Sequence, residues 1–352
     1  MADVEADDDL AIAPAAAPML ERAGVPWLEP VRARLEGMQA QGRLPHAILL
    51  TGSPGAGQAE LATWLAARLL CRTGRSQPCG LCTDCRLVLA GSHPDFQWVG
   101  VLPDKKEISI DQLRALSATL SMRSYRGGAK VAVISPADVM STKAHNALLK
   151  TLEEPAPETY LVLAASRIDR IPKTILSRCT RLALPLPNEK AALDWLRRQG
   201  RSGDWPALLA LAGGAPFLAL EHEEAGLGTL DSEMQDVLAA ALEGRLDFVA
   251  FAAHSAKNAP AARIAWLESW LTRSLKDDAL ASDLVNNNRL PWLRPPGRET
   301  KIRAGFVLLD RLRSARRDAG GSLNMQLLFE GLAVSLAALV GRAGGSSRGN
   351  AG

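Results

Sequence analysis

Short apolar runs bounded by turn residues alternate with helical patterns along the first half of the chain. Runs of this length are typical of strands buried on both faces of a parallel sheet, and they cover residues 47–50, 130–134 and 160–165. Apolar residues at helical spacing predict further elements, namely helices over residues 27–38, 111–120 and 143–152. The alternation of strand and helix predicts an α/β domain with a parallel sheet that extends to about residue 186.

The pattern changes after Pro185, Pro187 and Asn188, because everything that follows is helical in character.

The two ends of the chain show no periodic spacing of apolar residues. Residues 1–18 are rich in Asp, Ala and Pro and predict a disordered acidic extension, and residues 341–352 are rich in Gly, Ser and Arg and predict a flexible tail.

Composition places the chain among ordinary globular proteins. Of its 352 residues, 47% are hydrophobic and 22% are charged, which excludes collagen-like, fully disordered and disulfide-scaffold chains. The net charge of +3 is compatible with nucleic acid nearby but does not indicate a nucleic-acid-binding surface. No apolar run approaches the roughly 18 to 20 residues that cross a bilayer, and the N-terminus is acidic, so we expect a cytoplasmic protein.

A glycine-rich turn follows the first predicted strand. Gly52, Gly55 and Gly57 have the spacing of a P-loop, in which backbone N–H groups bind phosphate. A working P-loop continues with Lys and then Ser or Thr, whereas this chain has Gln58 and Ala59. The β- and γ-phosphates would therefore lack a cation, and Mg²⁺ would lack a ligand.

A second deficit follows the strand predicted at residues 130–134. A P-loop ATPase has an acidic pair at this point, but residues 135–138 read Ser-Pro-Ala-Asp. Because two independent elements are missing, we predict a P-loop architecture that neither hydrolyses ATP nor holds nucleotide. A glycine turn unrelated to nucleotides is the alternative.

Four of the five cysteines lie within fifteen residues, at the spacing C-x7-C-x2-C-x2-C: Cys71, Cys79, Cys82 and Cys85. Four thiolates so close together suit a closed tetrahedral zinc site, which is structural because no position is open for water. Unmetallated thiols and an iron–sulfur cluster are alternatives, although no further Cys follows at the spacing of a cluster. The arginines around the cysteines also leave open a zinc knuckle that binds nucleic acid.

Two long motifs carry a resemblance to a known family. Residues 140–155, MSTKAHNALLKTLEEP, closely resemble the helix after the second motif of clamp-loader ATPases, and residues 171–179, IPKTILSRC, resemble their Ser-Arg-Cys element. Together with residues 44–47 and the altered phosphate loop, the chain from about Met19 to Leu339 resembles the delta' subunits of bacterial DNA polymerase III clamp loaders. The C-terminal third resembles them only in helical character and length.

The resemblance implies a domain organisation. It consists of an AAA+ module over residues 19–186 with a zinc-binding insertion at 71–85, a helical lid at 187–226, and a helical collar at 227–340. The collar would join gamma/tau and delta subunits in a hetero-pentamer. Active relatives keep the Lys and the acidic pair, and they carry a lid arginine where residues 213–216 read Gly-Gly-Ala-Pro.

The same resemblance implies the function. The chain would be a non-hydrolysing stator in the DNA polymerase III holoenzyme, a nucleotidyltransferase, and would help load the sliding clamp onto primed DNA. Arg178 would act in trans as an arginine finger on the ATP of a neighbouring subunit, with a salt bridge inside the module as the alternative. Glu153 and Glu154 end a predicted helix, where solvated carboxylates are expected.

Two functions of other classes remain as alternatives. One is an autonomous AAA+ ATPase in DNA processing, which the residues at 58 and 135–136 disfavour. The other is a zinc-dependent nucleic-acid-binding adaptor, which requires salt-sensitive DNA binding by the chain alone.

Overall fold

The computed structural model describes residues 16–73, 77–103, 105–201, 203–280, 298–318 and 324–340. The chain forms two compact units, which are contiguous in sequence and divide between Asn188 and Glu189. In the described residues, the first unit holds a parallel sheet with helices and the second holds helices alone.

The sheet has five strands in the order β2-β3-β4-β1-β5, and every neighbouring pair is parallel. The strands are β1 Ala47–Thr51, β2 Phe96–Val99, β3 Lys130–Ile134, β4 Thr159–Ala165 and β5 Thr180–Ala183. Ile48, Leu49, Leu50, Leu163 and Val133 are fully buried, as expected for central strands covered on both faces. The sheet therefore brings the carboxyl ends of β1, β3 and β4 to one edge.

The helices of the first unit are α1 Ala16–Ala23, α2 Glu29–Ala40, α3 Gln58–Leu70, α4 Thr83–Leu89, α5 Ile110–Ser121, α6 Thr142–Glu153 and α7 Lys173–Leu176. Local sequence explains two of the starts. Ser109 and Gln112 form a reciprocal capping box at the start of α5, and the Ser141 hydroxyl accepts from the backbone N–H of Ala144 at the start of α6.

The second unit contains α8 Glu189–Arg197, α9 Trp205–Leu211, α10 Pro216–Glu224, α11 Leu230–Leu242, α12 Phe248–Lys257, α13 Pro260–Leu280, α14 Arg298–Asp318 and α15 Met325–Val340. Aromatic side chains pack edge to face inside it. The ring centroids of Trp195 and Phe217 lie 5.1 Å apart, and those of Phe251 and Phe329 lie 6.0 Å apart. Among the described residues, every helix is too short or too polar to span a bilayer.

The predicted α/β module with a parallel sheet, followed by helices, is confirmed. The predicted helix over 27–38 differs at its start, because Pro26–Leu28 form a 3-10 turn and α2 begins at Glu29. Helix α1 begins at Ala16, inside the segment predicted as a disordered extension. Residues 1–15 and 341–352 lie outside the described residues. The division between lid and collar stays a prediction.

Candidate nucleotide and metal sites

The glycine-rich loop joins β1 to α3, as the sequence predicts. Gly55 and Gly57 have φ of +74° and +112°, in the left-handed region that favours glycine. A Cβ added at Gly52 would lie 3.3 Å from the Cβ and the carbonyl oxygen of Leu184. The loop thus has the strand-turn-helix setting of a phosphate-binding loop. Its backbone conformation and its close approach to Leu184 favour glycine at these positions.

The side chain that follows the loop is turned back onto it. Gln58 is buried, and its amide Nε2 donates to the carbonyl oxygens of Gly52 at 2.8 Å and Ser53 at 3.1 Å. The same nitrogen lies 3.4 Å from Ser166 Oγ. In a P-loop ATPase the lysine of this position neutralises phosphate charge. Here the position holds a neutral amide whose donors are already bonded to protein oxygens.

A carboxylate that had no role assigned from the sequence also lies at this edge of the sheet. Asp138, on the turn after β3, is buried, and its Oδ1 accepts from the backbone N–H of Ser166 at 3.1 Å. Ser166 directly follows β4. Gln58, Ser166 and Asp138 therefore form one polar network across the ends of β1, β4 and β3.

The four clustered cysteines meet at the end of α3 and the start of α4. Their sulfur atoms all lie within 4.8 Å of one another, with 4.0 Å between Cys71 and Cys82 and 3.8 Å between Cys79 and Cys85. A regular tetrahedron with Zn–S bonds of about 2.3 Å has S···S edges of about 3.8 Å. The four sulfurs thus fit zinc, which would supply a cross-link with no open position.

Backbone groups stabilise thiolates at this cluster. The Cys79 sulfur accepts from the backbone N–H of Cys82 at 3.3 Å, and hydrogen bonds from Cys82 and Leu81 lower the pKa of Cys79 to about 6. Burial instead raises the pKa of Cys85. Since metal binding requires deprotonated thiols, Cys79 is prepared for coordination before the metal arrives, whereas Cys85 needs the metal to ionise.

A buried carboxylate network lies next to the cluster and was not predicted from the sequence. Asp84, between two of the cysteines, pairs with Arg126 and with Arg72 at 3.5 Å. The His93 Nδ1 atom accepts from the backbone N–H of Asp95, so its Nε2–H donates to Asp84 at 3.3 Å. Burial opposes ionisation of Asp84, but hydrogen bonds from Arg126 and His93 hold its pKa below the usual range. The insertion is therefore tied to the body of the first unit.

Arg178 follows α7 and contacts its own module. Its Nη2 atom lies 2.5 Å from Glu153 Oε1, and Nη1 donates to Thr174 O at 2.8 Å. The sequence interpretation of Glu153 as a solvated carboxylate missed this ion pair. The Arg178 side chain remains about one-third exposed, at 35%. Burial raises the pKa of the adjacent Cys179 to about 11, so that thiol is a poor nucleophile.

We expect the purified chain to contain about one zinc and no iron, because the four sulfurs close a tetrahedron. Elemental analysis after anaerobic purification measures this. The Cys82→Ser variant should lose the metal and destabilise the insertion while the sheet stays folded, and Cys179→Ser, outside the cluster, should keep the metal. A metal content near zero, or iron with visible absorbance, contradicts the assignment.

Comparison with known proteins gives consistent matches. A family model described as DNA polymerase III, delta subunit, matches residues 28–188. The protein named DNA polymerase III subunit delta' of Pseudomonas aeruginosa is 40% identical over 55% of this chain and 60% of its own length. The match thus spans less than two thirds of that relative.

A protein of the same name from Yersinia pestis is 35% identical over 76% of this chain and 82% of its own length. Among solved structures, a DNA polymerase III gamma subunit-related protein from Thermotoga maritima aligns with a TM-score of 0.43 and 18% identity. That alignment covers 92% of this chain and 99% of the other.

Proposed function

The chain belongs to the family of DNA polymerase III subunit delta', and we propose that it is the non-hydrolysing subunit of a clamp loader. In this role it helps to place the sliding clamp on primed DNA during replication. The observation that carries the proposal is the state of the phosphate loop. Its backbone is formed, yet Gln58 occupies the lysine position and is bonded to the loop's own carbonyl oxygens.

The chemistry of phosphoryl transfer explains why this loop is inactive. The transition state spreads negative charge over the γ-phosphate, and catalysis depends on cations and Mg²⁺ placed around it. Gln58 brings no charge, Ala59 brings no hydroxyl, and Asp138 is engaged by the backbone of Ser166. The site is therefore a polar network that stabilises the module instead of a catalytic centre.

We further propose that Arg178 serves a neighbouring subunit. Thr174 O and Glu153 hold its guanidinium at the surface of the module in a defined orientation. A side chain that is one-third exposed can exchange Glu153 for a phosphate oxygen of ATP bound across an interface. The cost is small, since a partly exposed ion pair contributes only about 0 to 1 kcal/mol.

The partners proposed for the chain are gamma/tau and delta subunits in a hetero-pentamer. Residues 227–340 would form its part of the collar, and residues 187–226 the lid. Large apolar side chains exposed on α14 and α15 support an interface there: Phe306, Val307, Leu327 and Val334, each more than half exposed. Contacts with the clamp and with primer-template DNA would be made through the complex.

We expect no ATP hydrolysis by the isolated chain, measured as phosphate release by highly purified protein. Gln58→Lys alone should not create an ATPase, because the residues at 135–138 still supply no acidic pair to position Mg²⁺ and water. Gln58→Ala is the matched control, because it removes the Gln58 amide without adding a charge. Turnover by the wild-type chain that disappears in Gly57→Val would overturn the proposal and favour an autonomous ATPase.

A further inference from the structure

A basic and aromatic surface lies beside the cysteine cluster, and the proposed function does not use it. The segment between α5 and β3 exposes Tyr125 by 85% and Met122 by 65%, and Arg123 is also exposed. The Arg72 Nη2 atom donates to the carbonyl oxygen of Arg126, which joins the insertion to this segment. We define the Tyr125 face by these residues: Arg72, Met122, Arg123, Tyr125 and Arg126.

The backbone under the Tyr125 face is fixed. The buried Asp95 carboxylate accepts from the backbone N–H groups of Tyr125 at 2.7 Å and Arg126 at 2.9 Å, and from Ser124 Oγ at 3.0 Å. The Lys130 ammonium donates to Met122 O at 2.6 Å. An exposed aromatic ring on a fixed backbone loses little conformational entropy when it binds a ligand. The order of this segment therefore favours recognition.

On the Tyr125 face the arginine side chains reach solvent, whereas the carboxylates that lie beneath it are buried. Arg72 and Arg126 share the one carboxylate of Asp84, which is buried, and Arg72 remains about half exposed. Arg123 makes no ion pair with any described residue. The carboxylates of Asp84 and Asp95 lie inside and are fully engaged. The Tyr125 face thus combines an exposed ring with arginine side chains that reach solvent.

Exposed aromatic rings among guanidinium groups are the recognition pattern for single-stranded nucleic acid. A base stacks on the ring, and arginines bind the flanking phosphates. An acidic peptide would pair with the arginines but has no need of an uncovered ring, and in a duplex the faces of the bases are not accessible.

We propose that the Tyr125 face binds single-stranded nucleic acid, with one base stacked on Tyr125 and phosphates on Arg123 and Arg72. This binding is independent of Arg178, of the phosphate loop and of assembly with other subunits.

The test uses the full chain and a fluorescein-labelled oligo(dT) of about 16 nucleotides, with anisotropy as the readout at low salt. Tyr125→Ala should weaken binding about 5- to 100-fold, and Tyr125→Phe should bind like the wild type because the ring is kept. Arg123→Ala should reduce the slope of log K against log salt by about 0.7. Arg198→Ala, at an exposed site in the second unit, should change nothing.

Cross-linking locates the contact directly. An oligonucleotide that carries 5-iododeoxyuridine should cross-link to the peptide containing Tyr125. The proposal is overturned if the wild-type chain does not bind the oligonucleotide, if Tyr125→Ala binds as tightly as the wild type, or if cross-links fall only elsewhere. Equal competition by poly-glutamate and by oligo(dT) would assign the face to an acidic protein partner and also overturn it. Circular dichroism of each variant checks that it is folded.

Discussion

Replacing Arg178 by alanine should slow ATP hydrolysis at one site of the assembled clamp loader by about 10³- to 10⁵-fold. In the proposed role, Arg178 reaches across the interface, and its positive charge stabilises the charge that develops on the γ-phosphate in the transition state. Total turnover should fall only in part, because the other ATP sites keep their own arginines. DNA-stimulated phosphate release and clamp loading by the reconstituted complex measure both effects, and the zinc content and assembly of the variant should be unchanged.

Two control variants separate this role from a structural ion pair. Glu153→Gln removes the charge that Arg178 contacts in its own module, while Thr174 O still orients the guanidinium. If Arg178 acts in trans, the complex with Glu153→Gln should keep most of its ATPase activity, whereas the complex with Arg178→Ala should lose the activity of one site. Arg181→Ala, an exposed arginine on β5, should be neutral. Equal losses in Arg178→Ala and Glu153→Gln, or a wild-type rate in Arg178→Ala, would show that Arg178 is structural.

The second large effect concerns the buried carboxylate beneath the Tyr125 face. Asp95→Ala should lower the free energy of unfolding by about 2 to 4 kcal/mol, because it leaves the donors of Ser124, Tyr125 and Arg126 without their acceptor. Guanidinium denaturation followed by tryptophan fluorescence measures the change, since Trp98 lies on β2, the strand that begins directly after Asp95.

The matched control for Asp95→Ala is Asp111→Ala. The Asp111 side chain is 73% exposed, and Arg114 is its one ion-pair partner among the described residues, so its loss should cost less than about 1 kcal/mol. Asp95→Asn should lie between the two, because the amide still offers one acceptor. If Asp95→Ala costs no more than Asp111→Ala, the segment is not held by this carboxylate.

The pattern of apolar residues was sufficient to predict the central strands but not the edges of the sheet. Strands β1, β3 and β4 are apolar except at a terminal residue, because both of their faces are covered. Strand β2 has only four residues and includes Gln97, and in β5 only Leu182 is buried. Short strands at a sheet edge carry too few buried positions to produce a recognisable run.

The candidate sites show a similar contrast. Some consist of residues that are close in sequence, and others depend on contacts between residues that are far apart in sequence. The phosphate-loop glycines and the cysteine cluster could be predicted because the residues of each set lie close together in the sequence. The contact between Gln58 and Ser166 joins residues 108 apart, and the pair of Arg178 with Glu153 joins the turn after α7 to the end of α6. Spacing along the chain carries no signal for such contacts, so the network at the altered phosphate loop required the structure.

The proposed clamp-loader role is tested most directly by affinity purification of the tagged chain from its native cell extract, followed by mass spectrometry and an ATPase assay of the recovered material. If the chain has this role, gamma/tau and delta subunits are recovered with it, and ATP hydrolysis belongs to the complex and is absent from the isolated chain. Recovery of the chain without these subunits, together with ATP turnover by the chain itself, would show that the proposed role is wrong.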